Sequence, residues 1–205
     1  MLTQNLILNW TTRMNFPLKV RSTSLQLNCR LQEYFKNNEF VNALSLFDAC
    51  CFKSQTCIFL ACKFEDIHGY LNRIIHKVGE FSNRFYLDRI LEFEAEILEF
   101  LKFDFNCVNL YQSALAVKFL VEKQNPNTGI QWEYILLRLN KIFCIVDLTQ
   151  YLMEAVLAAF EQDSIICLGL KYNKKIMAEI KAKSKNVDFI LDQEIQERCE
   201  KAVQN

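Results

Sequence analysis

Two ionisable residues stand where aliphatic side chains would be expected. Thr56, Phe59, Leu60, Lys63 and Ile67 recur at i, i+3, i+4, i+7 and i+11, so on a helix they share one stripe whose only charge is Lys63. Leu87, Ile90, Leu91, Ile97, Leu98 and Leu101 form a second stripe with Glu94 at its centre. An unpaired charge is costly to bury, whereas a charge with a partner and hydrogen bonds can be kept inside. The pattern therefore predicts that Lys63 and Glu94 meet. The alternative is that each helix is turned slightly from this template and each charge reaches water along its own stem.

Other reactive chemistry is not predicted. Gly69, Gly79, Gly129 and Gly169 are isolated, and none opens a helix beside a Lys-Ser or Lys-Thr pair, so no phosphate cradle is expected. His68 and His76 lack a His-Glu-x-x-His context and no two cysteines are spaced Cys-x-x-Cys, so neither metal nor cofactor is expected. Acids and serines are plentiful, but no spacing singles out a nucleophile with its base or a paired-carboxylate site. A binding subunit is expected in place of an enzyme, with no catalytic residues.

The elements that must position Lys63 and Glu94 follow from composition and periodicity. The chain has 205 residues, 51% of them hydrophobic, but only four Gly and two Pro. So few turn-formers leave little room for the tight turns of an all-β fold, and helical apolar periodicity runs almost end to end; an all-α protein follows. Its 24 basic residues balance 24 acidic ones, so the electrostatic footprint of a nucleic-acid binder is missing. The nine cysteines include Cys57, Cys62, Cys144 and Cys167 inside apolar helical patterns, the placement of buried free thiols in a reducing compartment. No apolar run suits a membrane span and no secretory leader is recognisable, so no membrane association is expected; the location expected is intracellular, nuclear and/or cytoplasmic.

Along the chain, helices are predicted over Thr3–Met14, Ser22–Phe35, Phe52–Ile67, His68–Val78 and Leu87–Leu101, with polar loops at Lys36–Glu39 and Ser82–Asn83. Lys102–Asn109 reads as a short connector between two helical units that pack on each other, one over 1–102 and one over 103–205. The second unit is predicted to contain helices at Leu110–Glu122, Glu133–Cys144 and Tyr151–Gly169, with a loop at Asn125–Gly129. Lysine-rich Asn173–Lys185 and charge-alternating Asp188–Gln204 read as surface helices.

At this point a family resemblance emerges. Ala-Cys-Lys-Phe-Glu-Asp-Ile, residues 61–67, resembles the Ala-Ser-Lys-Phe-Glu-Glu-Ile signature of the cyclin box. Ile-Leu-Glu-Phe-Glu-Ala-Glu-Ile-Leu-Glu-Phe-Leu-Lys-Phe-Asp, residues 90–104, resembles that family's fifth helix, and Leu6-Ile7-Leu8-Asn9-Trp10 resembles its first-helix Ile-Leu-Val-Asp-Trp. The resemblance covers about the first half of the chain and weakens after Leu152. It implies two stacked five-helix units, the second more divergent, in a regulatory subunit that binds and activates a cyclin-dependent kinase in cell-cycle or transcriptional control. It further implies that Lys63 and Glu94 hydrogen-bond backbone groups of the kinase, that Phe64, Phe103 and Phe105 add apolar contact, and that Leu6, Ile7 and Trp10 line a groove for docking motifs of substrates or inhibitors. The first helix is more similar to A/B-type cyclins, while Phe-Leu-Ala-Cys-Lys is more similar to transcriptional cyclins such as cyclin H.

There are departures. The family's first-helix arginine falls on Gln4 and its buried second-helix aspartate near Glu33, so an internal salt bridge would become a Gln–Glu contact. The loop around Asn37–Leu46 is longer than usual, and the groove's acidic residue falls on Arg13. Packing of Leu6, Ile7 and Trp10 inside the unit is the other reading of that apolar face. Two further functional classes remain at this point: a cyclin-fold general transcription factor, which would need a basic face, and a helical scaffold with no kinase partner, in which Lys63 and Glu94 would be exposed and indifferent to mutation.

Overall fold

A computed structural model describes residues 2–67, 86–126, 129–160, 168 and 173–185. Those residues form ten helices and no strand, an all-α fold. The expected helix at His68–Val78, the loop at Ser82–Asn83 and the helix at Asp188–Gln204 lie outside the described residues, as do Gly69, Gly79, Gly169, His76, Cys167 and Cys199. The chain clusters into two compact units, one holding Met1–Cys107 and the other Val108–Phe189.

In the first unit, α1 (Leu2–Arg13) and α2 (Leu18–Arg30) pack on α5 (Leu46–Phe64). α5 begins six residues before the predicted Phe52, because Ser45 caps it: its hydroxyl accepts from the Asp48 amide at 3.1 Å and donates to the Asp48 carboxylate at 2.8 Å. From Ala49 to Cys62 every α5 side chain except Lys53 is buried. The helix is therefore the axis of its unit, buried on all sides, where the stripe at Thr56–Ile67 had suggested a one-sided helix.

The predicted helix at Ser22–Phe35 is two helices. Leu31 leaves helical geometry (φ −91°, ψ 5°) and separates α2 from α3 (Gln32–Asn37), and a single turn, α4 (Glu39–Asn42), occupies part of the expected loop. α2 is polar in composition yet buried from Val20 to Asn28, and several of its side chains find local acceptors: the Ser24 hydroxyl donates to the Val20 carbonyl at 2.7 Å and the Gln26 side-chain amide to the Ser22 carbonyl at 3.2 Å. Arg21 joins it to α1, donating from Nε to the Thr11 hydroxyl at 3.2 Å. Glu33, expected near Gln4, is exposed on α3.

α6 (Leu87–Phe100) completes the described part of this unit. An aromatic cluster ties it in: the ring of Phe52 on α5 lies 6.4 Å from Phe35, 5.3 Å from Phe40, 5.6 Å from Tyr86 and 6.2 Å from Phe93. One buried ring thus joins α3, α4, α5 and α6.

The second unit contains α7 (Leu110–Gln124), α8 (Trp132–Phe143), α9 (Leu152–Leu157) and α10 (Lys174–Lys185). Asn109 caps α7 by accepting from the Gln112 amide at 3.2 Å. Tyr111 and Phe143 meet edge-on at 5.6 Å, and the Tyr111 hydroxyl donates to Asn140 at 2.8 Å. The single long helix expected over Tyr151–Gly169 stops at Leu157, with Ala158 and Ala159 in a turn; residues 161–167 lie outside the described residues. In α10, Met177 and Ile180 are buried while Lys174, Lys175 and Lys183 are exposed, the arrangement of a one-sided surface helix. Among the described residues no helix is long and apolar enough to cross a membrane.

Candidate functional site

α5 and α6 bring Lys63 and Glu94 together: Lys63 Nζ donates to Glu94 Oε1. The two side chains are 35% and 19% exposed, so the pair is neither buried nor freely solvated. Lys63 Nζ also lies 5.4 Å from the centre of the Phe59 ring, a cation–π contact that further holds it against α5. Burial ends on α5 just before Lys63, so the charge sits at the rim of the core. On α6 the buried positions are Ile90 and Ile97, while Leu91, placed on the apolar stripe by its spacing, is 48% exposed.

The spacing of α5 and α6 is set at two places besides the ion pair. The Gln55 carboxamide oxygen accepts from the Tyr86 amide at 3.1 Å, fixing the start of α6, and Phe93 packs on Phe52. On the far flank Tyr34 donates to Glu96 at 3.2 Å and stacks on Phe100 at 5.5 Å. Burial first, and then the Glu96 charge, push the Tyr34 phenol up to about 12, so it remains a donor at neutral pH.

Phe64, Phe103 and Phe105 form an aromatic row. Phe64 closes α5; its ring lies 4.3 Å from Phe105 at 33°, and Phe105 meets Phe103 at 6.4 Å and 81°. Phe103 is 61% and Phe105 38% exposed. Large rings turned to solvent and held in mutual contact are the kind of apolar surface that marks a partner-binding site.

Both helices that supply this site end in the same way. After α5 the chain turns left-handed at Asp66 (φ 54°), with Ile67 N donating to Cys62 O at 2.8 Å and Asp66 N to Lys63 O at 3.2 Å. After α6 it turns left-handed at Lys102 (φ 54°), with Phe103 N donating to Leu98 O at 2.9 Å and Lys102 N to Glu99 O at 2.8 Å. These bonds satisfy the last carbonyls of each helix and set the directions in which Phe64 and Phe103 leave it. Glu65 reinforces the first: it accepts from the Thr23 hydroxyl at 2.5 Å, while Lys19 Nζ reaches its main-chain oxygen at 3.0 Å and its carboxylate at 3.4 Å. Glu65, Thr23 and Lys19 were not identified from the sequence; the partners are about forty residues apart and no local spacing announces them.

The proposed docking residues are placed differently. Leu6 and Ile7 are fully buried and Trp10 is 4% exposed, so all three are core side chains of the first unit and line no open groove; Arg13 is exposed. The apolar periodicity of α1 reflects its packing on α5. Burial also dominates the thiols. It pushes Cys57 well above its ordinary range and Cys62 and Cys144 up to about 12, leaving all three protonated and poor nucleophiles. The seven cysteines among the described residues are not joined in disulfides, and no three His, Cys, Asp or Glu side chains gather there where a metal ion could sit.

Residues 8–106, from α1 through α6 to the turn that follows it, match the family model of the cyclin N-terminal domain. No curated protein matches the chain.

Proposed function

The chain is a cyclin-family protein by its N-terminal domain, and from that premise we propose that it is a regulatory subunit that binds and activates a cyclin-dependent kinase. The observation that carries this reading is the part-buried Lys63–Glu94 pair on the two helices whose ends display the Phe64–Phe105–Phe103 row. A positive and a negative group side by side can hydrogen-bond a carbonyl and an amide of a partner backbone at once, while the rings beside them in sequence contribute apolar contact. By gripping the kinase helix that bears the catalytic glutamate in its inward position, the subunit favours the lysine–glutamate ion pair that orders ATP phosphates; activation is then a population shift. The balanced charge of the chain supports a protein partner over nucleic acid. The location proposed is the nucleus, the cytoplasm or both, and the subunit itself performs no catalysis.

Titrating catalytic subunits of cyclin-dependent kinases with wild type, Lys63→Ala and Glu94→Ala tests the reading. Each variant should weaken binding by about 2 to 5 kcal/mol, since each truncation strands a charge that binding desolvates. Circular dichroism must first show that helix content and melting temperature survive. If both variants activate a kinase as well as the wild type does, the gripping role of the pair is wrong.

A further inference from the structure

We propose that Arg30, at the end of α2, is the positioning residue that presents the Phe103–Phe105 pair to the partner, by clasping the turn that carries it. The proposal rests on the kinase-binding reading above and adds to it a residue outside the set of contact residues named there.

The strain of the turn is the first observation. Lys102 occupies the left-handed position that ends α6, and that cap needs only one such residue. Phe103, next in the chain, is left-handed as well, at φ 52°. For a bulky side chain this conformation is rare, and it persists only where the surroundings over-determine it. The amides of Phe103 and Asp104 are both tied back, to Leu98 O of α6 at 2.9 Å and to O of its C-cap Leu101 at 3.0 Å.

The second observation is what closes the turn from the other side. Arg30 Nη2 donates to the main-chain oxygen of Asp104 at 2.7 Å and to its carboxylate at 3.1 Å. Asp104 lies between the two phenylalanines, so a bond to its carbonyl fixes the backbone on which both are mounted. The same carboxylate accepts from the Asn106 amide at 3.1 Å, which continues the fixed segment past Phe105. Arg30 is itself held, with its side chain only 20% exposed and hydrogen-bonded to the half-buried Cys107 thiol. An exposed ion pair contributes little to stability, and Asp104 is 53% exposed. The role assigned to Arg30 is therefore geometric: two exposed rings held in place before binding lose less freedom on binding.

The test uses the whole chain and has two arms. In the free protein, Arg30→Met should raise amide hydrogen exchange at Phe103 and Asp104 by about tenfold or more while leaving the amides of α5 unchanged. A general loss of stability would raise both. In the second arm, a panel of cyclin-dependent kinase catalytic subunits is titrated with Arg30→Met, with Phe103→Ala/Phe105→Ala, and with the three combined. Arg30→Met should weaken binding about tenfold on its own and add almost nothing once the two rings are gone, because it acts through them. If Arg30→Met does not fold, Asp104→Ala, at an exposed position, removes the carboxylate half of the clasp and the Asn106 bond while leaving the carbonyl bond, and should weaken binding by a smaller factor in the same non-additive way. Unchanged exchange at Phe103 and Asp104, or a loss of binding that adds in full to that of the ring variant, overturns the proposal. If the ring variant, Lys63→Ala and Glu94→Ala all bind as the wild type does, the kinase reading is what has failed, and the exchange arm still decides whether Arg30 holds the turn.

Discussion

The two units treat backbone strain differently. In the first, four of the described residues other than glycine adopt left-handed backbone: Asn15, Asp66, Lys102 and Phe103. In the second, Gly129 is the one such residue among those described, and a Cβ built on it would meet nothing within 4 Å. Glycine takes this conformation at almost no steric cost, whereas other residues must be held there by bonds and packing. Three of the four strained residues lie at the ends of α5 and α6, where Lys63, Phe64, Phe103 and Phe105 are displayed. Strain is tolerated where the direction of the chain matters, and it is absent from the described turns of the unit that carries no candidate site.

Large rings are either buried or displayed in both units, and one substitution from each exposes that difference most strongly. Phe52 is fully buried at the junction of four helices, while Phe119 on α7 is 60% exposed. Phe52→Ala should cost about 3 to 5 kcal/mol of stability, from lost transfer energy and an unfilled cavity. Phe119→Ala should stay within ~0.5 kcal/mol of wild type. Urea unfolding followed by circular dichroism measures both. Equal losses would mean that Phe119 is covered by something its exposure does not reveal.

A pair of asparagines should shift stability in opposite directions. Neither the oxygen nor the nitrogen of the fully buried Asn28 carboxamide has a hydrogen-bond partner, whereas the Asn140 carboxamide accepts from Tyr111. A stranded buried amide costs roughly 1 to 3 kcal/mol, so Asn28→Ala should gain about 1 kcal/mol once the small void it leaves is counted. Asn140→Ala should lose about 1 kcal/mol with its hydrogen bond. The same unfolding curves report both, and a destabilised Asn28→Ala would mean that the amide is satisfied by a water inside the first unit.

Some of this was legible in the sequence. The Lys63–Glu94 contact could be anticipated because a single charge in each of two periodic apolar stretches asks for a partner. The helical class followed from the scarcity of glycine and proline. Helix ends were legible in part: the helices ending at Arg13 and Phe100 stop one residue short of the expected Met14 and Leu101, and α5 stops three short of Ile67, although no glycine marks the left-handed turns at Asn15, Asp66 and Lys102; the break of α2 at Leu31, with no Gly or Pro to mark it, was not. Periodicity also identifies an apolar face without saying what covers it, so Leu6, Ile7 and Trp10 read equally well as groove or core; the structure buries them. The contacts Thr23–Glu65 and Arg30–Asp104 span 42 and 74 residues, and only the folded chain brings them together.

The smallest predicted effect bears most directly on the opening comparison. At Lys102 the left-handed conformation costs roughly 1 to 2 kcal/mol relative to glycine, by crowding Cβ against the following carbonyl. Lys102→Gly removes that cost but gives the unfolded chain more freedom, which returns about 0.4 to 1 kcal/mol. The net should be a gain of some tenths up to about 1 kcal/mol. Asn15→Gly should gain less, because a short polar side chain already tolerates this conformation. Gly129→Ala in the second unit should go the other way by about 1 kcal/mol, from its φ of 49° alone, since no neighbouring atom opposes a Cβ there. Midpoints from urea unfolding order the three. If Lys102→Gly destabilises instead, its side chain is doing more than capping α6, and the turn would owe its geometry to that contact as well as to Arg30. A gain at Lys102 leaves the cap intact with less strain stored in it, and binding by this variant would then show whether the strain itself serves the presentation of Phe103 or is only tolerated.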